Sequence, residues 1–444
     1  MSRSTETIVA VSTPPGEGAV AMLRISGPKA FVVAKKFFRS RVSFEKMQPR
    51  YLYFGHIVEE AVPVDEGLCA IFHAPASYTG ENLVELGYHG GVVVSTQVLR
   101  LALDSGARLA HPGEFTQRAF LNGKMDLTRA EAVMDLIQAQ TLQAMRAAAL
   151  QLDGSLSRTI ETIRSELIHI LSHIEASIDF PEDGLEPDTG GTILKKIFQV
   201  RQQIDTLLST ENQGRLLREG IRLTICGPPN AGKSSLLNQL LKCDRAIVSH
   251  LPGTTRDTLE ESVSLKGMLF RITDTAGIHH TSDPIELEGI RRSFTAAEKS
   301  DVILYVVDAT RPQPPLPPAG LPEDRLRLVW NKIDLLTQPF SYPPIAAAVS
   351  CQTGAGVPQL ISSIVEWAGG LGHHSGQLVA INARHQSCLK RALASLEHAG
   401  ELVNGMEFVA FELHTALDAI GEVTGAVDHE EVLNSVFSNF CIGK

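Results

Sequence analysis

Gly227-Pro228-Pro229-Asn230-Ala231-Gly232-Lys233-Ser234 has the spacing G-x-x-x-x-G-K-[ST]. Glycines at both ends let the backbone wrap a chain of phosphates with its N–H groups pointing inward, and a following helix adds positive potential. In this pattern Lys233 is expected to reach the β- and γ-phosphates, Ser234 to ligate Mg²⁺, and Ser235 to add a phosphate contact. Asn331-Lys332-Ile333-Asp334 supplies the complementary chemistry. Guanine presents N1–H and N2–H₂ as donors, and one carboxylate, Asp334, can accept both. Adenine would leave that carboxylate unpaired, so the pattern selects GTP over ATP. Asn331 is expected to tie this loop to the phosphate loop, and Ser350-Cys351-Gln352 to close over the base.

Two further segments belong with these. Asp274-Thr275-Ala276-Gly277 places an acid where it can hold the Mg²⁺ shell through water, and an N–H at Gly277 where it can sense a γ-phosphate. Gly253-Thr254-Thr255-Arg256-Asp257 offers Thr254 or Thr255 to complete that shell. Many small GTPases carry a glutamine after the D-T-A-G glycine to orient the attacking water. Here that residue is Ile278, which cannot do so. Among nearby acids, Glu286 has a plausible reach, although its position alone reads as a solvated acid at a helix start.

These segments must be carried by buried strands. Ile221–Cys226, Leu269–Thr273, Val302–Val307, Leu326–Trp330 and Ala346–Val349 are short apolar runs, with helical spacing at Ser234–Leu241 and Ile285–Lys299. That alternation predicts a mainly parallel sheet covered by helices. Before it, Leu156, Ile160, Ile163, Leu167, Ile170, Leu171, Ile174 and Ile178 recur on one helical face, after a break at Gly154. A second helix is expected near Ile193–Leu208. Helices resume at Ala383–Val403, Phe408–Ile420 and Glu430–Phe437, so the α/β unit reads as an insertion in one helical domain, or as a separator of two. Residues 1 to about 120 read as mixed α and β, with strands at Thr7–Val11, Ala19–Ile25 and Leu68–His73 and a helix at Val92–Leu103. The fold class is therefore multidomain α+β.

The 444 residues allow two to three domains, and 43% hydrophobic with 20% charged residues is ordinary for a globular chain. A net charge of -10 argues against a generally basic nucleic-acid coat. The six cysteines include no C-x-x-C pair, which suggests neither a zinc site nor a disulfide framework. No signal peptide and no membrane-spanning run is read, and a cytoplasmic location is expected.

Taken with Thr13-Pro14-Pro15-Gly16, Leu23-Arg24-Ile25-Ser26-Gly27, His111-Pro112-Gly113-Glu114-Phe115 and the terminal Phe440-Cys441-Ile442-Gly443-Lys444, the motifs resemble those of the tRNA-modification GTPase MnmE family along the whole chain. The resemblance implies an N-terminal folate-binding and dimerisation domain (1–120), a helical domain in two parts (121–218 and 378–444) and an inserted Ras-like P-loop GTPase domain (219–377). It implies a homodimer that acts with the flavoprotein MnmG on the wobble uridine of certain tRNAs. There an aminomethyl-type group would be installed on C5, its carbon drawn from a 5-formyl or 5,10-methylene tetrahydrofolate derivative. It implies a potassium ion held by Asn230, Ser249, the Leu251 backbone and Thr254, with Thr255 on Mg²⁺ and Glu286 as the catalytic glutamate. Ser249 stands where a threonine is expected, and His279 where an arginine is expected.

The GTP-binding set implied runs through Asn230–Ser235, Ser249, His250, Leu251, Pro252, Gly253, Thr254, Thr255, Asp274, Thr275, Ala276, Gly277, Asn331, Lys332, Asp334, Ser350 and Cys351. For folate it places Arg24, Glu85, Lys124 and Lys444 at one site. Cys441 is a possible nucleophile near that site, or a tail cysteine without chemistry. Two other readings stay open: a regulatory GTPase switch in ribosome assembly, which would leave the folate-like segments unexplained, and a folate-dependent transferase acting on another macromolecule.

Overall fold

The structure is a computed structural model that describes residues 6–179, 190–242, 260–274, 297–311, 317–336, 346–369, 381–401, 405–427, 430–438 and 440–444. The chain forms two compact units, Met1–Met134 with Ile420–Lys444, and Asp135–Ala419.

In the first unit, β1 (Ile8–Val11), β2 (Ala21–Ser26), α1 (Ala30–Phe37), β3 (Phe38–Ser40), β4 (Tyr53–Glu59), β5 (Val62–Phe72) and β6 (Leu83–Tyr88) precede α2 (Val92–Asp104), β7 (Arg108–Leu109), α3 (Glu114–Leu121) and α4 (Leu127–Gln138). The strands make one sheet in the order β3-β4-β5-β6-β2-β1-β7, antiparallel at every pairing except β1 with β7. Alternation decides which side chains are buried. Ala21, Leu23 and Ile25 of β2 enter the core with Val84 and Leu86 of β6 and with Val33, Ala34 and Phe37 of α1. Arg24 therefore falls on the opposite face. The register sets Arg24 directly across from Glu85, which makes them a cross-strand pair.

The second unit opens with α5 (Leu142–Leu152), α6 (Ser155–Asp179), α7 (Gly190–Leu208) and α8 (Glu211–Glu219). Gly154, at φ +90°, separates α5 from α6 as its spacing suggested. The expected apolar face of α6 is buried from Leu156 to Ile174. Next come β8 (Ile221–Cys226), α9 (Lys233–Leu241), β9 (Glu260–Leu265), β10 (Met268–Asp274), β11 (Val302–Asp308), β12 (Leu326–Asn331), β13 (Ala346–Ala348) and α10 (Val357–Gly369).

The sheet order is β13-β12-β11-β8-β10-β9, parallel throughout except for β9. The strands β8 and β11 are central and buried almost end to end, which is why they read as unbroken apolar runs. The polar strand β9 gave no such signal. It pairs antiparallel with β10 through a tight turn at Lys266-Gly267, both with positive φ, and its solvent-facing residues suit an edge. The unit then continues through α11 (Ala383–Glu401) into α12 (Met406–Thr424).

The last helix, α13 (Glu430–Ser438), returns the chain to the first unit. Leu433, Phe437 and Phe440 pack there with Leu127, Ala130 and Met134.

Among the described residues no helix is long and apolar enough to cross a membrane.

Candidate nucleotide and folate sites

Parallel strands deliver their following loops to one edge, and the motif residues lie at those carboxyl ends: Gly227 after β8, Asp274 closing β10, Asp308 closing β11 and Asn331 closing β12. Gly232 caps α9 at φ +95° and brings no side-chain acceptor to the helix start. A Cβ at Gly232 would lie 2.1 Å from Asn331 Nδ2, and one at Gly227 would lie 2.2 Å from the Val306 carbonyl. Both glycines are thus required by close approach. Ser234 and Ser235 are exposed in the first turn of α9. Lys233 donates from Nζ to the Pro228 carbonyl at 3.0 Å, across the loop. Asn230 takes a left-handed φ of +61°.

Asn331 is buried and joins the loops. Its Nδ2 donates to the Ala231 carbonyl at 2.9 Å, and its Oδ1 accepts from the Cys351 N–H at 3.1 Å. Gln239 of α9 donates to the Cys351 carbonyl at 2.6 Å. Phosphate loop, guanine loop and the Ser350-Cys351 turn are therefore one hydrogen-bonded assembly. Asp334 is exposed at its rim, in a single 3₁₀ turn. Lys332, at φ +67°, is held by Asp308, with Nζ to Oδ2 at 2.7 Å. Burial would raise the Asp308 pKa, but Lys332 and Thr310 outweigh it and hold it below the usual carboxylate value. The sequence reading missed Asp308; its only signal was an acid ending a buried strand. Burial, with the nearby Asp334 charge, pushes the Cys351 thiol up to about 11, so it stays protonated at neutral pH.

Ser249, His250, Leu251, Pro252, Gly253, Thr254, Thr255, Thr275, Ala276, Gly277 and Glu286 lie outside the described residues. So does most of the helix expected at Ile285–Lys299.

The first unit carries a second polar cluster. Arg24 donates from Nε and Nη2 to Glu85 Oε1, at 3.0 and 2.7 Å. Its guanidinium lies 5.1 Å from the Tyr78 ring centroid and 5.8 Å from that of Phe115. Its Nη1 is buried and has no hydrogen-bond partner among the described residues. Arg24 is thus paired with an acid of the protein. The Lys444 pKa is lowered by burial and then by the neighbouring Arg24 charge, with Glu85 opposing. Arg24 and Glu85 are paired, and Lys444 is tied by its carbonyl to Phe115, whose ring faces Arg24. Lys124 donates to the Pro75 carbonyl at 3.1 Å, in the loop that leads to Tyr78. Cys441 is half-buried, packed on the cluster of Leu433, Phe437 and Phe440. Tyr78 and Phe115 were not read as site residues, since aromatics without spacing carry no such signal.

Sequence comparison agrees along the whole chain. The family model described as MnmE helical domain matches residues 127–441, and that described as GTP-binding protein TrmE N-terminus matches residues 7–124. A tRNA modification GTPase MnmE from Akkermansia muciniphila is 45% identical over 450 residues, covering 100% of both chains. Proteins of the same name from Acetivibrio thermocellus and Levilactobacillus brevis are 38% and 41% identical. Each comparison covers 99% of this chain, and 99% and 98% of the relative respectively.

Proposed function

The chain belongs to the tRNA modification GTPase MnmE family, and on that premise we propose that it hydrolyses GTP with Mg²⁺ and K⁺ in the folate-dependent modification of tRNA. The observation that carries this reading is Asn331, whose one side chain fastens both the phosphate loop and the base-closing turn. Asp334 accepts from guanine N1–H and N2–H₂, Lys332 lies along the base, and Asp308 fixes Lys332. Lys233 turns from Pro228 to the β- and γ-phosphates, and the first N–H groups of α9 meet their charge. Ser234 and Thr255 would hold Mg²⁺, supported by Asp274. Asn230, Ser249, the Leu251 backbone and Thr254 would hold K⁺, which would supply positive charge against that developing during phosphoryl transfer. With Ile278 unable to orient water, Glu286 takes that role.

A tetrahydrofolate derivative occupies the Arg24 cluster in this proposal. A buried N–H donor without an acceptor costs about 1–3 kcal/mol, and Arg24 Nη1 is such a donor, flanked by two rings suited to a flat heterocycle. That ligand would supply the carbon for C5 of the wobble uridine, in partnership with MnmG, and the working form would be a cytoplasmic homodimer. The functional division is 1–120, 121–218, 219–377 and 378–444, although the chain from Ile420 onward groups spatially with the first of these.

Phosphate release from GTP in KCl, compared with equal NaCl, tests the hydrolytic part. The wild type should be at least about tenfold faster in KCl, the scale of one charge-stabilising group, and Glu286→Ala should lose that rate. Equal rates in both salts would remove K⁺ and Glu286 from the mechanism and favour a ribosome-assembly switch.

A further inference from the structure

The last residues of the chain are held by main-chain bonds to the segment His111–Phe115. The Phe115 N–H donates to the Lys444 carbonyl at 3.1 Å, and the Gly113 N–H to the Cys441 carbonyl at 3.4 Å. Ser12 Oγ donates to the Gly443 carbonyl at 3.2 Å. Gly443 has φ +97°, and a Cβ there would lie 2.8 Å from the Val11 carbonyl, so the tail crosses β1 where no side chain would fit. Phe115 connects this dock to the Arg24 cluster, because its ring faces the Arg24 guanidinium while its N–H carries Lys444.

The acid between the two donor residues, Glu114, is 7% exposed. Its carboxylate accepts from Arg108 Nη1 and Nη2 at 3.1 and 2.7 Å, from Arg118 Nη2 at 2.8 Å and from the His111 N–H at 2.9 Å. Arg118 is anchored in turn by Glu81 and by the Glu6 carbonyl, and Glu81 also accepts from Ser26 at the end of β2. Burial would raise the Glu114 pKa, but Arg108, the His111 N–H and Arg118 outweigh it and hold it at about 2. The carboxylate is thus charged and its partners are fixed at any physiological pH. One side chain sets the shape of the turn that presents both docking N–H groups.

We infer that Glu114 is a positioning residue for the segment Cys441–Lys444: by fixing the segment His111–Phe115, it docks Cys441 and Lys444 so that Lys444 stands beside Arg24 and Glu85. This rests on the tetrahydrofolate reading of that cluster for its functional consequence, though the docking itself does not. Glu114 acts through the backbone of Gly113 and Phe115.

Amide hydrogen exchange at Gly113 and Phe115 would be measured in the full-length protein and its Glu114→Gln and Glu114→Asp variants, and each would be titrated with 5-formyltetrahydrofolate. Thermal unfolding would be followed in parallel. In Glu114→Gln, exchange at both amides should be about tenfold faster and the ligand about tenfold weaker, the loss of one hydrogen bond to a charged group. Glu114→Asp keeps the charge but shortens the reach, and should fall between. It decides the matter if Glu114→Gln does not fold. Gly443→Ala, which lifts the tail without touching the carboxylate, should reproduce both effects. Exchange at the Gly113 and Phe115 amides at the wild-type rate in the Glu114 variants, whatever their melting temperature, would overturn the inference. Arg24→Ala separates the two claims. If Arg24→Ala abolishes ligand binding while Glu114→Gln leaves it intact, the positioning role fails and the folate reading stands. If Arg24→Ala binds as the wild type does, the folate reading fails.

Discussion

Gly232→Ala is expected to weaken guanine-nucleotide binding by a factor of about 100 to 1000. The added methyl would meet Asn331 Nδ2 at 2.1 Å, on a backbone with φ +95°. Two costs combine. A side chain in the left-handed region costs about 1–2 kcal/mol. Displacing Asn331 breaks its bonds to Ala231 and Cys351, each worth about 1 kcal/mol and more when a buried partner is left unsatisfied. Together they reach about 3–4 kcal/mol, or two to three decades in affinity. The phosphate loop would also lose the concavity that admits the phosphates. Titration with a fluorescent GDP analogue reads the effect, and circular dichroism shows whether the sheet survives. A dissociation constant within about threefold of the wild type would mean that Asn331 does not join the two loops in solution.

The second large effect is a change of specificity. On the proposed reading, Asp334→Asn removes a carboxylate that would accept two donors from guanine, leaving an amide that would meet N1–H or N2–H₂ with a donor of its own. Two hydrogen bonds to a charged group are worth about 3–6 kcal/mol. Guanine affinity should therefore fall by about 10³-fold or more. Xanthine carries an oxygen at C2, which the new amide N–H can meet, so a xanthosine nucleotide should recover most of the loss. Because Asp334 is exposed on its turn and Asn331 and Lys332 keep their own partners, stability should not change. Equal loss of guanine and xanthine binding would place the recognition elsewhere.

How much of this could be read in advance depended on the range of the interaction. Gly227 to Ser234 and Asn331 to Asp334 are local patterns, each fixed by one strand end, and their strands were legible because a parallel sheet buried on both faces needs continuous apolar runs. The bond from Asn331 to Ala231 spans 100 residues, yet it follows once both patterns are recognised. Nothing local marks Asp308 as the partner of Lys332, since an acid closing a strand has many uses. The strand β9 escaped because edge strands are polar on the solvent side.

In the first unit, the Arg24–Glu85 pair comes from sheet register, which no spacing within either strand discloses. The family resemblance placed Lys444 with Arg24 but said nothing of how a terminal residue is held there. The answer, backbone donors at Gly113 and Phe115 braced by Glu114, joins segments more than 300 residues apart in sequence. The motif His111-Pro112-Gly113-Glu114-Phe115 was visible from the start, while its physical role required the structure.

The most direct test of the central claim is the release of inorganic phosphate from GTP and from ATP, at equal concentration, by the full-length protein in KCl and MgCl₂. The account predicts hydrolysis of GTP with ATP at less than about 1% of that rate, as expected when a site built around paired donors meets a base that lacks them. Comparable hydrolysis of both nucleotides would contradict the assignment of Asp334, and no hydrolysis of GTP under these conditions would contradict the assignment of the chain as a GTPase that supplies its own catalytic groups.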